Sequence, residues 1–319
     1  MKSLENLKWS PLWTSHIGCL KGCLDYLKMN ISEAWLYGAT GHAFILNIHE
    51  IICPSGPTAW QGDILFKLSK NIGFIVEGID GWKGEDNFNE KQRAAWDNTR
   101  KAIDDGFPCY GWEFDVPEFY VIFGYDDQGY YYSGPGADDC KGPFPWEKLG
   151  TSEIGVLAMY RVSPKDGADD RTTVHNALTF AVKFAEDPGN WVYEKYRSGK
   201  MGYDLWVEAL ENNQAHDFGM AYNSAVWSEC RHYAVKFLIE AKERLDNKLH
   251  GLFDEAIDNY GRVGKSLHSV SALFPFPPHD ELQDADRRSS AVENLIEARQ
   301  YELKAIKTLK RIVENIGDD

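Results

Sequence analysis

The stretch at residues 16–38 is HIGCLKGCLDYLKMNISEAWLYG, and the interpretation of the rest of the chain depends on it. Its apolar residues have the helical spacing i, i+3, i+4 and i+7: Leu20, Cys23, Leu24 and Leu27. This spacing predicts a helix over residues 19–29 with one buried stripe and with Cys19 in its first turn. There the positive end of the helix dipole and the unpaired backbone N–H groups favour a thiolate and lower the pKa of the thiol. Cys19 is therefore a candidate nucleophile, and a small buried hydrophobic side chain is the alternative.

Short helical and strand patterns alternate around this stretch as far as residue 162. The run AFILNI at 43–48 predicts a strand, and helical spacing is found at 32–38, 58–73 and 89–105. A hairpin is predicted at Asp-Asp-Gln-Gly, because these turn residues separate two aromatic and β-branched runs. The further strands are predicted at 74–79, 108–113, 118–125, 130–133 and 154–162. Helices followed by a mainly antiparallel sheet predict an α+β domain.

A polar connection follows this domain. The segment SPKDGADDR at residues 163–171 is rich in Pro, Gly and Asp, which is typical of an exposed link between domains. We therefore expect a first domain at 1–163, a linker at 164–171 and an all-α helical bundle domain at 172–319. Its most strongly patterned helix runs from Val226 to Leu245, and a helix is also predicted at 172–186. The spacing of Ile306, Leu309, Val313 and Ile316 predicts a third helix.

Charge and composition exclude several classes of function. The chain has 34 Lys plus Arg against 49 Asp plus Glu, a net charge of −15, so a phosphate backbone would be repelled and no nucleic-acid partner is expected. The sequence contains neither a signal-peptide core nor a run of apolar residues long enough for a membrane helix, so we expect a cytoplasmic protein without a membrane partner. The six cysteines lack paired CxxC spacing, so neither a disulfide scaffold nor a zinc ribbon is expected. We also expect no metal site and no cofactor.

The run at 16–38 resembles the opening of the butirosin biosynthesis protein H-like N-terminal domain, whose wider relatives are papain-like cysteine peptidases that process bacteriocin leaders. The segments KAIDDGFPCYGWEFDVPEFYVIFGYDDQGYYYSGPG at 101–136 and PFPWEKLG at 143–150 are similar to the same family. RHYAVKFLIEA at 231–241 is similar to the helical domain that commonly accompanies it. The resemblance implies a papain-like first domain, a nucleophilic Cys that opens the central helix, and acyl transfer from a carrier to an aminoglycoside.

The chain departs from this family at two positions of the implied triad. Glu118 stands where the peptidases have a His at the start of a strand, and Gly134 stands where they have an Asp. A carboxylate takes a thiol proton only at a cost of about 5 to 6 kcal/mol, and its charge disfavours a thiolate. His16, three residues before Cys19, and His42, in a loop before a strand, are candidate replacement bases, and solvated or hydrogen-bonded side chains are the alternative.

Carboxylates and aromatic residues near the implied site form a candidate ligand set. Glu113 and Asp115 would share one face of a strand, where they suit an amine or an aminoglycoside-like cation; a solvated strand end is the alternative. In the long helix, Glu229 and His232 are i, i+3 neighbours that interrupt the apolar stripe together with Arg231, and a surface pair is the alternative. Further aromatic residues are candidate pocket walls or, alternatively, core residues: Trp60, Trp112 and Tyr120.

Two functions follow as expectations. The first is a cysteine-dependent acyltransferase, or an amide or thioester hydrolase, in which Cys19 forms a thioester; its partners are a small amine-containing substrate and an acyl carrier. The second is a non-catalytic small-molecule-binding protein on a degenerate cysteine-peptidase fold. Glu118 and Gly134 favour binding, whereas Cys19 in its helix favours an enzyme. A structural scaffold and a homodimer both stay open.

Overall fold

Helices and strands alternate in the first half of the chain, and helices dominate the second half. A computed structural model describes residues 1–317, apart from the side chains of residues 138 and 139. In chain order its elements are β1 (Lys2–Ser3), α1 (Ser15–Tyr26), α2 (Glu33–Ala39), β2 (Asn47–His49), α3 (Asp63–Ser69), β3 (Phe74–Trp82), α4 (Phe88–Asp104), β4 (Cys109–Trp112), β5 (Phe119–Tyr125), β6 (Gly129–Gly134), β7 (Ala137–Pro145), β8 (Val156–Pro164), α5 (Asp170–Glu186), β9 (Tyr196–Ser198), α6 (Gly199–Glu211), α7 (Asp217–Arg244), α8 (His250–Leu273) and α9 (Ala285–Gly317). The fold class is therefore α+β, as predicted.

The chain divides into two units, and each contains two segments of sequence. The first unit is Met1–Ser32 with Gly73–Gly167, and the second is Glu33–Ile72 with Ala168–Asp319, of which the last two residues lie outside those described. The division after Gly167 falls inside the predicted linker at 164–171. The segment 33–72 nevertheless belongs to the helical unit and not to the predicted domain 1–163, because α2 packs against α7 there.

The first unit is built on an antiparallel sheet with the order β3-β8-β4-β5-β6-β7, and β1 pairs with β5. The predicted hairpin is confirmed, since β5 pairs with β6 and Asp126 accepts hydrogen bonds from the backbone N–H groups of Gln128 and Gly129 at 2.8 and 3.3 Å. The sequence does not predict strand β7, because its Gly, Pro and Asp residues disfavour strands.

Helix α1 packs against this sheet through apolar residues that are fully buried, and these include Leu20 and Leu24. On another side the chain segment before the helix crosses it at two glycines. A Cβ atom on Gly22 would lie 1.9 Å from Lys8 O, and one on Gly18 would lie 2.4 Å from Ser10 O. The close approach of the two backbones therefore requires glycine at both positions.

The second unit consists of α2, α3 and α5 to α9, together with the short antiparallel pair β2–β9. The predicted helices at 172–186 and 226–245 are confirmed as parts of α5 and α7. The strand predicted at 43–48 is wrong over its first residues: His42–Phe44 form a 3₁₀ turn after Gly41, whose φ is +78°. Within residues 1–317 no helix is both long and apolar enough to cross a membrane.

Candidate functional site

Helix α1 begins four residues before the point that its apolar stripe predicts. Thr14 is the N-cap, with φ −83° and ψ 92°, and Gly18 N donates to Thr14 O at 2.9 Å. Ser15 and His16 therefore lie in the first turn. Cys19 lies beyond the four N–H groups that have no acceptor within a helix. Its predicted position in the first turn is wrong, because the helix begins at Ser15, four residues before Cys19.

The thiol of Cys19 is closed off from solvent. Its side chain is 0% exposed, and burial, followed by the neighbouring Cys23 and Glu118, raises the pKa of the thiol well above its ordinary value. Burial likewise raises the pKa of Cys23. The predicted lowering of the pKa is contradicted, because desolvation disfavours the thiolate. Cys19 is instead a small buried side chain, the alternative that the sequence left open.

Ser15 occupies the position at the start of the helix that the sequence analysis assigned to Cys19. Its Oγ donates a hydrogen bond to Glu118 Oε2 and accepts one from Phe119 N at 3.1 Å. Glu118 directly precedes β5, so the pair joins the start of the helix to the start of the strand. Ser15 was not among the predicted site residues, although two N-capping residue types in succession, Thr14 and Ser15, were a signal that could have revealed it.

His16 is a partly buried, neutral imidazole. Its Nε2 lies 2.9 Å from the hydroxyl of Tyr110, and its ring stacks on Phe119 with 4.4 Å between centroids. Burial lowers the pKa of His16 to about 3. A group with so low a pKa is a poor general base at neutral pH, which contradicts its role as a replacement base. His42 is also buried, in the second unit, where its ring centroid lies 5.9 Å from that of Trp60.

The segment between β4 and β5 is a loop, not the continuation of a strand. β4 ends at Trp112, and Glu113 has a φ of +61°, in the left-handed region. Glu113 N donates to Glu118 O at 2.8 Å and so closes the loop. The prediction that Glu113 and Asp115 share one face of a strand is therefore wrong.

Both carboxylates of this loop have partners in the first unit. Glu113 Oε2 accepts a hydrogen bond from Ser152 Oγ at 2.6 Å. Asp115 forms an ion pair with Lys141 Nζ, which also donates to Gly136 O at 2.8 Å. Asp115 and the Gly136 carbonyl together thus form a site that holds an ammonium group near the surface, since the side chains of Lys141 and Asp115 are 45% and 36% exposed.

Tyr120 fixes this loop through two hydrogen bonds of its hydroxyl group. Its hydroxyl accepts from Val116 N and donates to Pro135 O, both at 2.9 Å, and burial raises its pKa. A Cβ atom on Gly134 would lie 2.5 Å from Tyr120 Cδ1, so the ring occupies the space that a larger side chain would need. Trp112 is buried beside Phe119. Tyr120 and Trp112 are core residues, which contradicts their prediction as pocket walls.

In the second unit, Arg231 is part of a buried network. It donates to Glu302 from Nε and Nη2, both at 2.8 Å, and from Nη1 to Ala43 O at 2.9 Å and Ile45 O at 2.8 Å. Burial alone would lower the pKa of Arg231, but the charge of Glu302 outweighs it and raises the pKa. The guanidinium is 0% exposed, which contradicts its prediction as a ligand-binding residue. Trp60 is likewise buried, and its Nε1 donates to Pro57 O at 3.1 Å.

Glu229 and His232 differ in their surroundings. Glu229 Oε1 accepts a hydrogen bond from the hydroxyl of Tyr37, whose ring stacks on Tyr233 at 4.3 Å between centroids. His232 is exposed, and partial burial of its ring, followed by the charge of Lys236, lowers its pKa. Glu229 thus supports a pair of stacked tyrosines. A shared role of the two residues in binding stays a prediction.

The structure therefore separates the predicted site residues into two groups. The first unit holds Cys19, His16, Trp112, Glu113, Asp115, Glu118 and Tyr120, and the second holds His42, Trp60, Glu229, Arg231 and His232. Among the described residues no three His, Cys, Asp or Glu side chains come together as a metal site. No protein-family model matches the chain, and a search of curated proteins finds no match.

Proposed function

We propose that this protein binds a small cationic amine without covalent catalysis, on a papain-like unit in which the catalytic positions have been replaced. One observation carries the proposal: the first turn of α1 presents Ser15 to Glu118, while Cys19 is sealed in the core. A hydroxyl becomes a nucleophile only beside an effective base. A carboxylate is a weak base for that purpose. In addition, the Phe119 N–H donates a hydrogen bond to the Ser15 Oγ atom.

The ligand class is argued from Asp115 and Lys141. An ammonium group already lies between the Asp115 carboxylate and the Gly136 carbonyl, so a ligand amine can take the same hydrogen bonds when the exposed lysine moves away. A surface lysine costs little to displace, because an exposed ion pair contributes at most about 1 kcal/mol. The net charge of −15 also attracts cations.

Calorimetric titration with neomycin and with spermidine tests this proposal. We expect binding of at least one of them, and we expect Asp115→Asn to weaken it about five- to tenfold through loss of the charge-assisted hydrogen bond. Asp127→Asn is the matched control, because Asp127 is an exposed aspartate of the same unit in the turn between β5 and β6. Absence of binding by both amines, or equal weakening by the two variants, would contradict the proposal.

Alkylation by iodoacetamide tests the absence of cysteine chemistry. We expect the exposed Cys140 to be labelled in the native protein at neutral pH, and the buried Cys19 to react only after unfolding in urea. Cys19→Ala should leave amine binding unchanged. Rapid native labelling of Cys19, located by peptide mass mapping, would restore the cysteine-dependent acyltransferase as the better hypothesis.

A second candidate is a serine hydrolase or acyltransferase with Ser15 as nucleophile and Glu118 as base. The specific observation in its favour is the hydrogen bond between Ser15 Oγ and the carboxylate at the start of a helix, where backbone N–H groups favour developing negative charge. A fluorophosphonate probe separates the two functions. Under the binding proposal the wild type stays unmodified, whereas labelling that Ser15→Ala abolishes would establish the serine enzyme.

A further inference from the structure

The ammonium site of the first unit consists of the Asp115 carboxylate and the Gly136 carbonyl, which lie on two different segments. Asp115 belongs to the loop between β4 and β5, and Gly136 belongs to the turn between β6 and β7. A Cβ atom on Gly136 would lie 3.9 Å from Asp115 Oδ2, so the carboxylate is close to the turn. The ammonium group of Lys141 donates to Asp115 and, at 2.8 Å, to the Gly136 carbonyl. The site therefore holds one nitrogen atom through two N–H donors.

The hydroxyl of Tyr120 connects these two segments without involving the lysine. It accepts a hydrogen bond of 2.9 Å from Val116 N, and Val116 directly follows Asp115. It also donates a hydrogen bond of 2.9 Å to Pro135 O, and Pro135 directly precedes Gly136. Because one hydroxyl is an acceptor for the loop and a donor to the turn, it fixes the two backbones relative to each other. The two acceptors of the site are therefore positioned from the core, where Tyr120 is 0% exposed.

Two oxygen acceptors at a fixed separation recognise N–H groups as well as charge. A primary ammonium group has three N–H donors, so it can bond to the carboxylate and to the carbonyl at the same time. A quaternary ammonium group has no N–H donor, and proteins bind it through the faces of aromatic rings. The arrangement at Asp115 and Gly136 therefore favours the primary group over a quaternary group of equal charge.

We propose that this site selects a primary ammonium group over a quaternary one, and that Tyr120 is the positioning residue that sets this selectivity. The proposal rests on the amine binding proposed above and names the class of amine. Lys141 carries a primary ammonium group on an alkyl chain, and it is the internal occupant that such a ligand replaces. Tyr120 acts through the backbone of Val116 and Pro135 and not as a wall of the site.

Calorimetric titration of the full chain with cadaverine and with pentamethonium tests the selectivity. Both probes are dications with the same alkyl chain, and only cadaverine carries N–H donors. We expect the wild type to bind cadaverine about tenfold more tightly. Lys141→Met removes the internal occupant and should strengthen cadaverine binding about three- to fivefold. Lys148→Met removes the same charge from an exposed position of the same unit and should bind as the wild type does.

Tyr120→Phe tests the positioning role, because it keeps the ring and removes both hydrogen bonds. We expect cadaverine binding to weaken about tenfold and pentamethonium binding to stay unchanged, whereas a general loss of structure would weaken both alike. Tyr131→Phe is the matched control, since it removes a tyrosine hydrogen bond to Asp126 in the turn before β6. Should Tyr120→Phe fail to melt cooperatively, Gly136→Ala takes its place. The φ of Gly136 is +71°, so alanine strains the exposed turn and displaces its carbonyl.

Three results would overturn the proposal. Equal affinity for cadaverine and pentamethonium, with neomycin or spermidine still bound, would leave amine binding in place and remove the selectivity. Unchanged cadaverine binding by Tyr120→Phe, or an equal loss of both dications, would remove the positioning role. Absence of binding of both dications by the wild type and by Lys141→Met is the third. The amine-binding proposal is decided separately, by neomycin and spermidine.

Discussion

His16 is partly buried with its imidazole neutral, and its pKa is lowered to about 3. An unfolded chain binds a proton at this residue below about pH 6.5, whereas the folded chain does so only near pH 3. The contribution of His16 to the free energy of unfolding is therefore fully present above about pH 6.5. It falls as the pH drops through this window, since the unfolded state binds more protons.

We expect this residue to lower the free energy of unfolding by about 2 kcal/mol between pH 7 and pH 5. Urea unfolding of the wild type and of His16→Gln at both pH values measures it, because glutamine does not titrate. On acidification from pH 7 to pH 5, the free energy of unfolding of the variant should fall by about 2 kcal/mol less than that of the wild type. An identical pH dependence of both proteins would show that the folded protein does not hold the His16 ring neutral.

The candidate site shows how far single residues could be predicted. The sequence predicted that Glu118 and the start of a helix form the candidate site, and the two lie together in the structure. It chose Cys19 as the residue facing Glu118, whereas the structure has Ser15 there. The reason is that apolar periodicity shows which face of a helix is buried but not where the helix begins. A helix begins at its cap, and the cap residue is not part of the apolar pattern.

At the scale of elements, close approach of backbones outweighs helix propensity in α1. Alanine is a better helix former than glycine by about 1 kcal/mol, yet a Cβ atom on Gly22 would lie 1.9 Å from Lys8 O. Gly261 lies within α8 with no atom within 4 Å of the same added Cβ. The same substitution should therefore have opposite effects in the two helices.

We expect Gly22→Ala to destabilise the protein by about 2 kcal/mol or more, because the crossing segment must shift. Gly261→Ala should stabilise it by about 0.5 to 1 kcal/mol. Thermal and urea unfolding measure both changes. Stabilisation by Gly22→Ala would contradict the close crossing of α1 by the segment at residues 8–10.

Several helices were predicted well from their apolar spacing, whereas other elements were not predicted. Helix α4, predicted at 89–105, lies at Phe88–Asp104, and α5 also agrees with its prediction, whereas α7 begins at Asp217, nine residues before its predicted start at Val226. The sequence analysis did not assign β7 or α8, and it assigned only the last part of α9, which begins at Ala285. Local propensity does not predict β7, because its Gly, Pro and Asp residues disfavour strands, whereas the spacing of Tyr260, Val263 and Leu267 in α8 was a signal that could have revealed this helix.

At the scale of the whole molecule, the segment 33–72 belongs to the helical unit, although in sequence it lies between the two segments of the first unit. Helix α2 packs against α7, and the carbonyl groups of Ala43 and Ile45 accept hydrogen bonds from the buried Arg231. A fragment of residues 168–319 loses these acceptors and leaves a buried charge with too few partners, which costs several kcal/mol.

We expect the fragment 168–319 to lack a cooperative thermal transition. A fusion of 33–72 to 168–319 should melt cooperatively, and a short glycine linker is enough, because Ala168 N donates to Asn71 O at 2.9 Å. Circular dichroism melts of the two fragments, with the full chain as control, provide the measurement. Equal melting of both fragments would show that 33–72 is not part of this core.

The sequence by itself determined the α+β class, the hairpin between β5 and β6, the helices with a clear apolar stripe and the polar connection near Gly167, because each follows from the spacing or composition of neighbouring residues. Only the tertiary structure decided that Ser15 meets Glu118, that Cys19 has no access to solvent, that Arg231 serves Glu302, and that 33–72 joins the helical unit. These properties depend on contacts between residues far apart in the chain, and burial then sets the pKa of each group.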